Sequence, residues 1–97
     1  MAAFIIADTK IENAAEYEDY KRQARAIAER YGGVYRARGG ETEVVDAELW
    51  TPTRLVIIEF PDMASARAFA HSAEYAPVAA LRHAHARSTV VIVDGMS

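Results

Sequence analysis

The sequence contains no cysteine. That excludes a disulfide framework and any thiolate metal site. It has one tryptophan, Trp50, and three prolines, Pro52, Pro61 and Pro77, so few points in the chain are barred from regular structure. There is no excess of basic charge: eleven Lys and Arg stand against fourteen Asp and Glu, for a net charge of −3. This balance argues against a broad nucleic-acid surface. No apolar run approaches the roughly 20 residues that a membrane-spanning helix needs. The opening MAAFIIAD has only a short apolar run with no basic region before it, too short for a signal peptide. The expectation is a cytoplasmic protein without nucleic-acid or membrane partners.

What is present is apolar and periodic. Hydrophobic residues make up 52% of the 97 positions, which excludes a disordered chain. This length is read as one domain over 1–97. A chain so short buries a small share of its surface, and a dimer interface would help it.

Ala3 to Asp8 is a nearly continuous apolar run and predicts a strand covered on both faces. Asn13 is placed as a helix N-cap, with Glu16 positioned to complete a capping box. In the helix from about Ala14 to Tyr31, residues Tyr17, Tyr20, Ala24, Ile27 and Tyr31 form one stripe. The simpler reading of its three tyrosines is packing on a sheet with the hydroxyls at the edge. The alternative is a wall for stacking a ligand. Gly32-Gly33 ends the helix.

Val34 to Arg38 reads as a strand. Period-two alternation puts Val34, Arg36 and Arg38 on one face and Tyr35 and Ala37 on the other. Gly39-Gly40 allows a turn, and Glu41 to Asp46 suggests a short returning strand. Ala47 to Thr53, with Trp50 and Pro52, reads as a loop. Arg54 to Phe60 is apolar on both faces and reads as a central strand. Glu59 lies among aliphatic side chains there and must find a cation or hold a raised pKa. Asp62 caps a helix from Met63 to His71. Pro77 begins a second helical segment that runs to about His85. Ser88 to Asp94 is the last strand. The order β-α-β-β-α-β is the ferredoxin-like split βαβ arrangement, an α+β fold. Its helices cover one sheet face. The other face is also apolar, so a second copy is expected to cover it.

Tyr31-Gly32-Gly33, Arg38-Gly39-Gly40, Glu59-Phe60-Pro61, Ser72 to Tyr75 and Leu81-Arg82 occur in an order and spacing that resembles the domain of unknown function 1330 family. That resemblance covers nearly the whole chain. It implies a dimeric α/β barrel, in a superfamily that includes cofactor-independent monooxygenases, isomerases and haem enzymes.

The sharpest candidate site is Arg38-Gly39-Gly40, where a guanidinium beside unobstructed backbone N–H groups suits a carboxylate or phosphate. The competing reading is a hairpin turn whose arginine pairs with Glu59 or a partner subunit. Glu59 is the one candidate for a general base, or else it forms a structural pair with Arg36, Arg38 or Arg82. Trp50 either closes a cavity or packs across a dimer. Tyr75 and Arg82 complete the candidate ligand-binding set. His83 and His85 are two apart on a helix and do not share a face, so no metal is expected, and no cofactor. Three functions stay open. One is a homodimer binding a small anionic or aromatic molecule. Another is a cofactor-independent monooxygenase- or isomerase-like enzyme using Glu59 as base and Arg38 as oxyanion partner. The last is a structural self-association module.

Overall fold

The computed structural model describes residues 1–96. Its elements are β1 (Ala3–Ile11), α1 (Ala14–Arg30), β2 (Val34–Arg38), β3 (Leu55–Phe60), α2 (Met63–Ala70), α3 (Ala76–His85) and β4 (Ala86–Asp94). The strands form one antiparallel sheet in the order β2-β3-β1-β4. This is the ferredoxin-like α+β fold, with the second helix of the pattern split into α2 and α3. No helix among the described residues is long and apolar enough to cross a membrane.

Local chemistry accounts for the element ends. At the end of α1, Gly32 takes φ +88, a conformation that glycine adopts without penalty. Its N–H donates to Glu29 O at 3.1 Å, and Gly33 N–H donates to Ala28 O at 2.8 Å. These two bonds form a Schellman cap. Asp62 caps α2 by accepting from Ser65 N–H at 2.7 Å. Asn13 occupies the N-cap of α1, but its side chain makes no capping bond, so the expected capping box is not formed. Between α2 and α3, Ser72 Oγ donates to Phe69 O at 2.8 Å and accepts from Tyr75 N–H at 3.1 Å. Pro77 then lies in the first turn of α3. The break turns the chain so that Tyr75 enters the core, where it is 7% exposed.

The helices cover one face of the sheet. There Tyr35, Ile58, Ile5 and Ile92 lie in one row across the strands, with Arg38, Val56, Ala7 and Val90 in the next. Ala24, Ile27, Ala28, Phe69 and Val78 close over these rows from the helix side. The opposite face carries Val34, Glu59, Phe4 and Val93 in one row and Ala37, Ile57, Ile6 and Val91 in another. It is largely apolar and only partly covered, with Val34, Val91 and Val93 exposed. Within one chain β1 is therefore covered on one face, not both.

Two further expectations are corrected. Residues Glu41 to Asp46 form no strand. Their charges and lack of a pairing partner leave them in a loop that joins β2 to β3. In β2, the register shifts between Tyr35 and Ala37. An extra residue in one strand breaks period-two alternation. Arg38 consequently shares the helix-covered face with Tyr35, while Arg36 stays on the other side beside Glu59.

Candidate functional site

A cavity of about 130 Å³ lies between the helices and the sheet. Its walls are apolar and aromatic, and four of the five tyrosines line it: Tyr17, Tyr20, Tyr35 and Tyr75. Tyr17 and Tyr20 come from the α1 stripe, with ring centroids 4.9 Å apart. Phe69 of α2 packs against Tyr75 at 4.6 Å. Tyr35 enters from β2.

Polar groups meet at one corner. Arg82 lies seven residues after Tyr75, two turns along one side of the same helical segment. Its Nη1 donates to the Tyr75 hydroxyl at 2.8 Å. The Tyr20 and Tyr75 hydroxyls are 2.6 Å apart. Arg82 Nη2 contacts His83 Nε2 at 3.1 Å. Arg82 Nε is buried without a partner, the kind of group that calls for an explanation in a folded protein.

Burial keeps Tyr17, Tyr35 and Tyr75 protonated. It pushes Tyr35 up to about 12, and the neighbouring Tyr20 adds to the effect while Arg38 opposes it. Tyr75 is raised further by burial, then by Tyr20, against the attraction of Arg82. Tyr17 is raised mainly by burial. At neutral pH these residues are hydrogen-bonding phenols and not phenolates.

Among the described residues, four cations line the cavity and no carboxylate does. Lys21 is paired with Glu18 at 2.9 Å. Arg38, Arg54 and Arg82 form no salt bridge among the described residues, where the pairs are made by Lys21, Arg22, Arg25, Arg30 and Arg36. The Arg38 guanidinium lies 5.5 Å from the centroid of the Tyr35 ring, within cation–π range. Arg54 passes over Gly39, where a Cβ would sit 2.6 Å from its Nε. Gly39 also has φ +70, so this residue serves both the turn and the path of the arginine.

Of the positions singled out by sequence, Arg38, Tyr75 and Arg82 come together on the cavity wall. The Gly39 N–H donates to Leu55 O at 2.8 Å, so it is engaged inside the turn. Gly40 is in open space. Glu59 faces the other side of the sheet, and its carboxylate accepts from Arg36 Nε at 3.1 Å. Glu59 and Arg38 thus lie on opposite faces in one chain. Trp50 is 58% exposed and donates from Nε1 to Asp8 Oδ2 at 3.0 Å. The same carboxylate accepts from Thr53 N, Thr53 Oγ1 and Arg54 N. It thereby ties the end of the β2–β3 loop to β1. Among the described residues no cluster of three or more His, Asp or Glu could hold a metal ion.

The sequence reading held Tyr17 and Tyr20 as a ligand wall only as the alternative to packing, and did not include Tyr35 or Arg54 in the site. A signal existed for Arg54, because alternation puts it on the face of Val56, Ile58 and Phe60. Tyr17 and Tyr20 stood in the tyrosine stripe. Arg38 and Tyr35 could not be joined by alternation, since the bulge is invisible to it.

This fold and cavity define a ferredoxin-like α+β protein with a basic, aromatic-walled pocket under its helices. The chain belongs to the family described as domain of unknown function DUF1330, whose model matches residues 2–96. No curated protein matches it. Among solved structures it is similar to a protein of unknown function from Rhodopseudomonas palustris, at 17% identity and TM-score 0.76, covering 99% of this chain and 83% of that one. It is similar to SnoaB, a cofactor-independent oxygenase from Streptomyces nogalater, at 14% identity and TM-score 0.65, covering 99% and 94%. A dimeric ferredoxin-like protein of unknown function from Jannaschia sp. CCS1 matches at 16% identity and TM-score 0.64, covering 98% and 100%.

Proposed function

We propose that this protein is a homodimer that binds a small anionic molecule in the cavity between helices and sheet. The observation that carries this reading is the convergence of Arg38, Arg54 and Arg82 on a cavity that no carboxylate lines among the described residues. Neighbouring positive charges oppose one another, and a bound anion relieves that opposition. Dimerisation is supported by the apolar outer sheet face, and by the Jannaschia neighbour being described as dimeric. A second copy packed sheet to sheet would cover Ile6, Ile57, Val91 and Val93. Glu59 and Trp50 would then serve the interface rather than this cavity.

Thermal melting against a panel of small carboxylates, phenols and phosphates tests binding. Stabilisation by anions should disappear in Arg38→Ala while light scattering still reports a dimer. A monomeric mass at micromolar concentration would sink the dimer. Loss of the dimer in Arg38→Ala would make that arginine structural.

The likeness to SnoaB favours a second reading, a cofactor-independent monooxygenase- or isomerase-like enzyme. Here the arginines and phenols would stabilise an enolate formed from the substrate. Glu59 faces away from the cavity, so the Glu59–Arg38 pairing of base and oxyanion partner is not assembled there. Turnover of an activated phenol or enol, with oxygen uptake followed in parallel, tests this reading. Absence of turnover across a broad panel leaves the binding module. A purely structural module would not account for the free volume beneath the helices.

A further inference from the structure

The ligand class follows from three features of the cavity taken together: its spare hydroxyl beside a cation, its size and its walls. Tyr20 and Tyr75 each carry one hydroxyl hydrogen, and their 2.6 Å contact uses only one of them. Arginine only donates, so the bond from Arg82 Nη1 to Tyr75 consumes no phenolic hydrogen. Whichever tyrosine donates across the pair, one O–H remains. Arg82 Nε also lacks a partner, but it is enclosed by protein and exposes no surface to the cavity, so at this corner the guanidinium contributes its charge. A corner with a spare O–H beside a positive charge calls for an oxygen acceptor bearing negative charge.

The rest of the cavity is not built for a bare inorganic ion. Ile5, Val56, Ile58 and Phe69 contribute apolar wall, and the rings of Tyr20 and Tyr35 face the same space. Its volume of about 130 Å³ is close to that of an engineered cavity of about 150 Å³ that takes a benzene ring. Aromatic walls favour an aromatic guest through offset or edge contacts.

We infer that the ligand is a single-ring aromatic oxyanion, its charged oxygen at Arg82 and the Tyr20–Tyr75 hydroxyl pair and its ring between Phe69 and the sheet. This rests on the binding reading above and narrows it. The shared chemistry is a conjugated oxyanion, met by an aryl carboxylate or a phenolate. Arg38 and Arg54 add positive potential in the same cavity.

The test uses 4-nitrophenol, whose ionised form absorbs visibly, with the full-length protein near the phenol's own pKa. The expected result is growth of the phenolate band on adding protein, because the site favours the anion. Benzoate should displace the band, and the aryl-carboxylate arm is then read from its own titration. Benzyl alcohol, acetate and inorganic phosphate should not displace it. Arg82→Gln should weaken binding about 10- to 100-fold, the loss expected for a charge-assisted hydrogen bond. Tyr20→Phe removes one oxygen and should weaken it about 3- to 10-fold. It should also reduce the shift toward phenolate, a readout that a packing role would not move. The wild-type spectrum stands without any variant if Arg82→Gln fails to fold.

A falling phenolate band means the neutral phenol is preferred and overturns the inference. Stabilisation by phosphate or acetate without benzoate also overturns it, while leaving the anion-binding reading intact. Equal affinity for 2-naphthoate and benzoate removes the single-ring limit. No binding in any arm overturns both readings.

Discussion

Replacing Asp8 by asparagine should release Trp50 selectively, because the carboxylate oxygens have different duties. Oδ1 accepts from Thr53 N at 2.9 Å, Thr53 Oγ1 at 2.8 Å and Arg54 N at 3.0 Å. Oδ2 accepts only from Trp50 Nε1, at 3.0 Å. In Asp8→Asn the oxygen keeps the first three bonds, and the amide group then faces the indole N–H as donor against donor. Hydrogen bonds to charged groups contribute about 1.5–3 kcal/mol. Trp50 is 58% exposed and water replaces part of the loss, so roughly 0.5–1.5 kcal/mol is expected. At about 1 kcal/mol the docked indole population falls about fivefold relative to the free one. Trp50 is the only tryptophan, so its emission reads this directly. Asp8→Asn should red-shift the emission and increase acrylamide quenching, with a small change in the urea midpoint. Asp8→Ala removes all four bonds and should destabilise the fold by about 2–3 kcal/mol in urea. Burial raises the Asp8 pKa, but the bonds from Thr53, Arg54 and Trp50 outweigh it and hold the carboxyl below its ordinary 3.8. Its contribution is therefore complete above pH 3.8 and lost as pH falls through the depressed value. Wild-type emission should stay flat down to about pH 4 and shift only below it. Unchanged emission and quenching in both variants would refute the tether.

Gly39→Ala should cost about 1–2 kcal/mol for the left-handed backbone, offset by about 0.4–1 kcal/mol from the stiffer unfolded chain. It should also push Arg54 off its path and weaken anion binding; Gly40→Ala, in open space, should change the urea midpoint by less than about 0.5 kcal/mol. Stability should decline in strong alkali. Tyr17, Tyr35 and Tyr75 all have raised pKa values in the fold against 10.0 unfolded, so their contribution is full below pH 10 and is lost as pH climbs toward and past about 12 for Tyr35. Circular dichroism and phenolate absorbance should show unfolding and tyrosine ionisation together; ionisation of these residues at pH 10 in a folded chain would contradict their burial.

Several features were readable because they depend on neighbouring residues. The tyrosine stripe needs only helix periodicity. The cap of α1 needs only glycine where φ must turn positive. Asp62 before the α2 segment needs only a short acceptor next to free N–H groups. The Glu41 to Asp46 strand failed because a strand needs a partner, which alternation in one segment does not supply. Asp8 gave no sign of its role, since the donors it meets come from residues more than forty positions away.

By itself the sequence determined the split βαβ order, an inner strand apolar on both faces, and the family to which the chain belongs. These follow from hydrophobic period, turn residues and motif spacing, all local along the chain. Only the tertiary structure decided which charged residues meet. The β2 bulge turns Arg38 inward toward Tyr35 and leaves Arg36 outside with Glu59. The break before α3 carries Tyr75 to Tyr20 and brings Arg82 beside them. Pro77 marks that break in the sequence but not what it brings together, and one residue of register reverses the side to which a side chain points without leaving a mark in composition or spacing.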